Sequence, residues 1–269
     1  MAGATSHGLR RLAAPVRGRH RRVPPAVWVA ASLCLGAGLW QATALFVHDS
    51  LFWVPFSAVV RAEIAWFADG SIWPHLWVSG QELLIGFGCA IVVGTAVGAV
   101  MGVSRLSYNL LNPWVALLYT TPLVAIVPLY ILLFGIDVAS KAALVFTICV
   151  FTVVVNTVSG FHAAQRRYVD LARSYGATRL QTVWRVMFPS ALPFILTGYR
   201  LAIGRGLIGV VVGEFVIARA GIGFLISQAG QTFQMAQLYA GVLLLAVVGL
   251  VSFQALELLE RAVCPWRGR

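Results

Sequence analysis

Long apolar runs separated by short polar segments dominate the chain. Residues 26–48 carry no charge, and neither do Leu83–Ser104, Leu106–Ile136, Ala142–Gln165 and Ala220–Leu256. A helix needs about 20 apolar residues to cross the hydrocarbon core of a bilayer, and each run is long enough. The pattern predicts about six spans, near 26–47, 79–103, 111–134, 142–161, 192–217 and 238–257. An outer segment, 48–76, lies between the first two. It holds a short amphipathic helix around Ser57–Phe67, and Trp53, Trp66, Trp73 and Trp77 suit a membrane interface.

Within these runs, small and polar residues are placed unevenly. Gly86, Ala90, Gly94, Gly98 and Gly102 recur every four residues along the second span. That spacing drifts slowly around a helix and leaves a smooth strip where another helix can approach closely. The third span carries Pro113, Pro122 and Pro128, with Tyr119, Thr120 and Thr121 before the middle proline. Proline frees backbone carbonyls, which a membrane tolerates against protein or a wet cavity. A kinked helix buried in the bundle is expected, and Tyr119, Thr121 and Pro122 either line a path or simply pack. Asn156 in the fourth span and Glu214 in the fifth join these candidate path residues.

The fifth span also holds Arg200 and Arg205. An arginine at a helix centre costs about 2.5–3.5 kcal/mol on insertion scales, so each needs a polar partner or a route to the interface. Arg200 fits a position near the cytoplasmic face. Arg205 lies deeper, and either helps an anionic solute across or pairs with a neighbouring helix.

Composition supports the membrane reading. Hydrophobic residues make up 59% and charged residues 11%, against about 25% charged in soluble domains. The net charge of +11 would suit nucleic acid, but its distribution excludes that partner. Arg10, Arg11, Arg17, Arg19, Arg21 and Arg22 precede the first run, Arg166, Arg167, Arg173, Arg179 and Arg185 share one polar stretch, and Arg261, Arg267 and Arg269 close the chain. With alternating spans these fall on one side together with Arg105, and the other side receives Arg61, Lys141 and Arg219 with four acidic residues. By the positive-inside rule both termini are cytoplasmic. The first run is longer than a signal-peptide core of 7–15 residues, so an uncleaved anchor is expected despite Ala42-Thr43-Ala44. Cys34, Cys89, Cys149 and Cys264 form no metal or redox spacing and read as packing residues.

The one long polar stretch between spans, Phe161–Gly198, reads as two short helices. Tyr168, Leu171, Ala172 and Tyr175 share one face of the first. Gly176 suits a left-handed C-terminal turn. Thr178 with Gln181 forms a capping box for the second helix, which places Leu180, Val183, Trp184 and Met187 on one face and is expected to stop at Pro189. Such a unit can line the membrane or dock a partner.

Asp170-Leu171-Ala172, Gly176, Val186 and Phe188-Pro189 resemble the EAA motif of ABC importer permeases, whose pattern is Glu-Ala-Ala, Gly and Ile-x-Leu-Pro at these spacings. Asp replaces Glu, and Leu171 adds bulk where the motif has alanine. Pro128–Gly135, Ser140-Lys141, Ala202–Arg205, Val212–Glu214 and Gly221–Ile226 are similar to the nitrate/sulfonate/taurine subgroup. The likeness runs over about residues 75–258 and implies an all-α, type I importer-like membrane domain. Flanking it would be a basic cytoplasmic tail (1–25), a first span with outer segment (26–74) and a short C-terminal tail (259–269). It implies an ATPase-coupling loop at 161–190 carrying Asp170, Leu171, Ala172, Gly176, Ala177 and Pro189. It also implies two cytoplasmic ABC ATPases that use ATP and Mg, a second permease copy in a homodimer and an extracytoplasmic binding protein. The chain itself would hold no cofactor or metal, would sit in a bacterial inner membrane, and would pass a small anion such as a sulfonate, taurine or nitrate.

Rival classes fit less well. Lys141 is the only lysine and follows Ala139-Ser140, so no phosphate-binding P-loop is present. An intramembrane enzyme would need converging ionisable groups, yet the histidines at 7, 20, 48, 75 and 162 fall in tails and loops without HExxH, and GxSxG is missing. A secondary transporter run by an ion gradient remains the alternative, disfavoured by the lack of an obvious internal repeat.

Overall fold

The computed structural model describes residues 25–47, 52–164, 166–216 and 218–265. The basic tail and residues 48–51 of the outer segment lie outside the described residues. All regular structure among the described residues is helical: α1 (Pro25–Phe46), α2 (Phe56–Ala68), α3 (Ile72–Val103), α4 (Arg105–Thr120), a 3-10 turn (Leu123–Ile126), α5 (Val127–Phe134), α6 (Val138–Ala163), α7 (Arg166–Ser174), α8 (Arg179–Thr182), α9 (Phe188–Val216), α10 (Ile222–Gln231) and α11 (Met235–Val263). Five helical segments are long and apolar enough to cross a membrane, and the bent pair α4 with the 3-10 turn and α5 makes a sixth.

The bundle is organised around α6. On one side it meets the glycine strip of α3: Gly86 lies on Val145, Gly94 on Val153, Gly98 on Thr157 and Gly102 on Phe161, each pair 59 positions apart. A constant offset means that α3 and α6 run in the same direction. On the other side Gly198 lies on Asn156, Gly206 on Cys149, Gly209 on Val145 and Gly213 on Lys141, so α9 runs antiparallel to α6. Lipid tails are as apolar as leucine, so close contact of small residues holds membrane helices together. Around this contact Leu83, Phe87, Ala90, Val145, Cys149, Val153, Ala202 and Val210 form the main core.

The remaining helices attach more loosely. α1 is held near one end by Trp40, whose Nε1 donates to Val54 O at 3.1 Å and whose ring meets those of Trp53, Phe56 and Tyr239. In the turn from α2 to α3, Asp69 Oδ1 accepts Ser71 N–H at 2.9 Å, which holds its carboxyl below the usual range.

Two expectations need correction. The third span is broken, not merely kinked: α4 and the Leu123–Phe134 segment meet at 85° beside Pro122. It also sits outside the core, with only Val115 and Val127 buried. Pro113 is absorbed within α4, whereas at Thr121-Pro122 the backbone turns extended and ends the helix. Nor does Pro189 stop a helix. A π-helical turn, Val183–Met187, runs straight into α9. Its wider register lets Phe188 N–H bond back to Val183 O, next to the proline that has no N–H of its own. The fifth span is therefore part of one helical rod, Arg179–Val216, of 38 residues.

The α3–α6 contact is testable within one helix. A Cβ at Gly98 would lie 2.6 Å from Thr157 Cβ, whereas one at Gly88 meets nothing within 4 Å. Gly98→Ala should destabilise the protein by about 1–3 kcal/mol through overpacking, read as a lower thermal midpoint in detergent. Gly88→Ala should not lower it.

Candidate functional site

The helix–turn–helix forms as the local sequence dictates. α7 ends in a Schellman turn: Ala177 N–H bonds to Ala172 O at 3.0 Å and Gly176 N–H to Arg173 O at 2.9 Å. Gly176 sits at φ +77, where a side chain is costly. Thr178 and Gln181 close the capping box, with Thr178 N–H to Gln181 Oε1 at 2.9 Å and Gln181 N–H to Thr178 Oγ1 at 3.3 Å. Leu171, Ala172 and Pro189 come together in a groove with Tyr168, Tyr175, Arg185, Val186 and Ser190. Tyr175 is 85% exposed, so this apolar face is open. Asp170 points elsewhere, into a separate cavity with Arg105, Tyr108, Asn109, His162 and Arg173.

The candidate path residues divide. Tyr119 and Thr121, just before the break in the third span, line one cavity with Arg205, Ile148 and Phe151. The Arg205 guanidinium lies 4.8 Å from the Tyr119 ring centroid and donates to Thr152 Oγ1 at 3.1 Å. Pro122 forms the break itself. Asn156 lies one turn from Thr152 at the α6–α9 contact, its Nδ2 donating to Thr152 O at 2.8 Å. Glu214 does not join this group, because it faces α3 and the start of α10.

There it belongs to a cluster that the sequence reading missed. Glu214 is 1% exposed, Glu82 0% and Lys141 6%. Lys141 Nζ pairs with Glu82 Oε1 at 3.1 Å and donates to Ile136 O at 3.3 Å. Glu214 accepts from Ser79 Oγ at 2.5 Å and from Gly223 N–H at 2.5 Å. Ser79 Oγ in turn accepts Ile222 N–H at 2.9 Å, and His75 Nδ1 accepts Gly221 N–H at 3.0 Å. The first N–H groups of α10 are thus satisfied by α3 and by Glu214, whose charge suits a helix N-terminus. A residue larger than glycine at 221 would collide with the Glu214 carboxylate. The available signal was a glutamate at the head of the 83–104 run and the single lysine at the head of the 142–165 run, but alternation had placed Lys141 in an outer loop. Arg200 is matched too, paired with Glu260 on α11. Among the described residues no group of three or more His, Cys, Asp or Glu side chains could hold a metal ion.

An apolar bundle with polar groups in its interior and an open helix–turn–helix between two spans defines a multi-pass membrane transport subunit. The profile of the family described as binding-protein-dependent transport system inner membrane component matches residues 90–264, and the chain belongs to that family. It is 30% identical over 234 residues to the taurine transport system permease protein TauC of Escherichia coli, covering 85% of each chain. It is 34% identical over 199 residues to the putative aliphatic sulfonates transport permease protein SsuC of Bacillus subtilis, covering 74% of this chain and 72% of that one. With the nitrate import permease protein NrtB of Synechocystis sp. it shares 28% identity over 197 residues, 73% of this chain and 72% of that one. An inward-facing structure of the MetNI methionine ABC transporter shares the fold, with TM-score 0.63 and 18% identity over 70% of this chain and 94% of that one. The chain is thus a membrane-spanning permease subunit of an ABC importer. Membership implies a separate ATPase and a substrate-binding protein as partners.

The ion cluster yields a test of its own. Lys141→Met strands the Glu82 carboxylate in the bundle and should cost about 3–5 kcal/mol, seen as a collapse of the thermal midpoint in detergent. Adding Glu82→Leu removes the stranded charge and should recover most of the loss, since apolar replacement of a whole buried pair is often neutral.

Proposed function

We propose that this chain pairs with a second copy to form the membrane path for a small anion, and that α7 and α8 receive the motion of the ATPase. The cargo class is supported by relatives named for taurine, aliphatic sulfonates and nitrate. The observation that carries the coupling role is the open apolar face of α7, joined by a rigid turn to a helix that continues into α9. Asp170, Leu171, Ala172, Gly176, Ala177 and Pro189 form the coupling element: Leu171, Ala172 and Pro189 offer the apolar groove, and Gly176 and Ala177 make the turn. ATP and Mg are used by the ATPase, with no cofactor in this chain. Tyr119, Thr121, Pro122, Asn156 and Arg205 lie along the path, and Glu214 fastens α10 beside it.

Both termini and the α7–α8 unit lie in the cytoplasm of a bacterial cell with this membrane as its inner one, as the arginine distribution directs. Alkaline phosphatase fused after Gly70 should be active, and fused after Arg173 inactive. The opposite pattern would invert the orientation.

The coupling role has a sharper test at Gly176. Gly176→Asp adds charge at the docking surface, while Gly176→Asn adds the same bulk without the charge, and both residues tolerate this backbone region alike. Both variants should insert normally. The Asp variant should lose binding-protein-stimulated ATP hydrolysis and uptake in reconstituted vesicles by about tenfold, or ~1.4 kcal/mol, and the Asn variant should retain most of both. Full stimulated hydrolysis in the Asp variant would remove α7 from the coupling path.

A further inference from the structure

Lys141 and Arg200 have carboxylate partners, and Arg205, which is exposed in the single subunit, has none among the described residues. Lys141 has Glu82, Arg200 has Glu260, and Glu214 has Ser79 and a backbone N–H. Arg205 sits level with Cys149, halfway along α6, because its neighbour Gly206 packs on that residue. Among the described residues it makes no ion pair, and its contacts are one hydroxyl and one aromatic face.

The sequence has nine acidic residues. Asp49 lies outside the described residues, and Glu63, Asp69, Asp137 and Asp170 lie between the spans. Glu82 and Glu214 are buried with their own partners about two helical turns away along α3 and α9. Glu257 and Glu260 hold Arg261 and Arg200. Among the described residues Arg205 is thus a cation without a carboxylate partner, halfway along the bundle and beside a cavity of about 200 Å³.

We propose that Arg205, Thr152 and Tyr119 form a binding station for a small oxoanion, a sulfonate or nitrate group, that supplies the missing charge as it crosses. This rests on the small-anion reading of the cargo. The guanidinium presents a planar fork of N–H donors that matches two oxygens of such a group. Thr152, 1% exposed and behind the cavity wall, accepts from Arg205 and so holds the guanidinium in place at the cavity. The Tyr119 ring lies over the guanidinium as a weak, uncharged partner where the anion would sit. Tyr119 closes α4 next to the break at Pro122, so it can withdraw without unpacking the α3–α6–α9 core. The anion replaces the ring, and the ring returns when the anion leaves.

The test uses the reconstituted importer with its ATPase and binding protein, and nitrate and ethanesulfonate as probes. Arg205→Gln should cut uptake about 30-fold, the loss of a charged hydrogen-bonding partner, while the complex with its ATPase still elutes intact on size exclusion. Unchanged uptake would overturn the station. A second readout covers a Gln variant that fails to assemble. With Thr121→Cys lining the cavity and Cys34 and Cys89 replaced by serine, ethanesulfonate should slow thiol labelling and gluconate should not. Arg205→Lys in that background keeps the charge but loses the fork, and should weaken protection about tenfold. Equal protection by both anions, or protection indifferent to the arginine, would overturn the proposal. Uptake of neither probe by the unmodified importer would remove the cargo reading, and the labelling result would still decide the site on its own.

Discussion

Close contact of α6 with α3 on one side and α9 on the other governs where every polar group in this subunit lies. In a bilayer the helices gain little from hiding apolar surface, so backbone approach over glycine supplies the attraction. The glycines also act as a ruler. Gly86 on Val145 and Gly213 on Lys141 bring Lys141 to the level of Glu82 on α3 and Glu214 on α9. The same alignment, three turns along, brings Arg205 beside Thr152. A slip of one residue in either contact would turn these side chains by about 100° and strand each of them in lipid.

The two polar layers set by that ruler have opposite characters. The Glu82–Lys141–Glu214 layer is closed. Its groups are held by one another, by Ser79 and by the first N–H groups of α10, and it joins four helices into one body. The Arg205 layer is open and borders a cavity shared with the broken span. Burying a charge is costly unless it is paired, a need that Glu82 and Lys141 meet for each other, whereas Arg205 is exposed and rests on Thr152 and Tyr119.

The sequence revealed most of the architecture because membrane-spanning helices must satisfy their own backbone, which writes each span as an uncharged run. The capping box at Thr178 and the positive φ at Gly176 were legible for a similar reason, as both are local. What escaped depended on distance in the chain. Glu82 and Lys141 lie in different helices and become a pair only through the glycine register. Pro189 looked like a terminator because a π turn that widens the register leaves no mark in the hydrophobic pattern. Pro122 was seen as a bend, but the angle depends on the neighbours that α4 lacks. Among the proposed coupling residues, the separation of Asp170 from Leu171 and Ala172 onto two cavities also required the packed structure.

The unbroken rod from Arg179 to Val216 bears on how this subunit can change over evolutionary time. A single-residue insertion between Trp184 and Arg205 would rotate the arginine by about 100° away from its cavity while leaving composition and hydropathy untouched. Length should therefore be frozen along the rod. Within this helix, the count of residues is itself an inherited functional trait, separate from which residues they are.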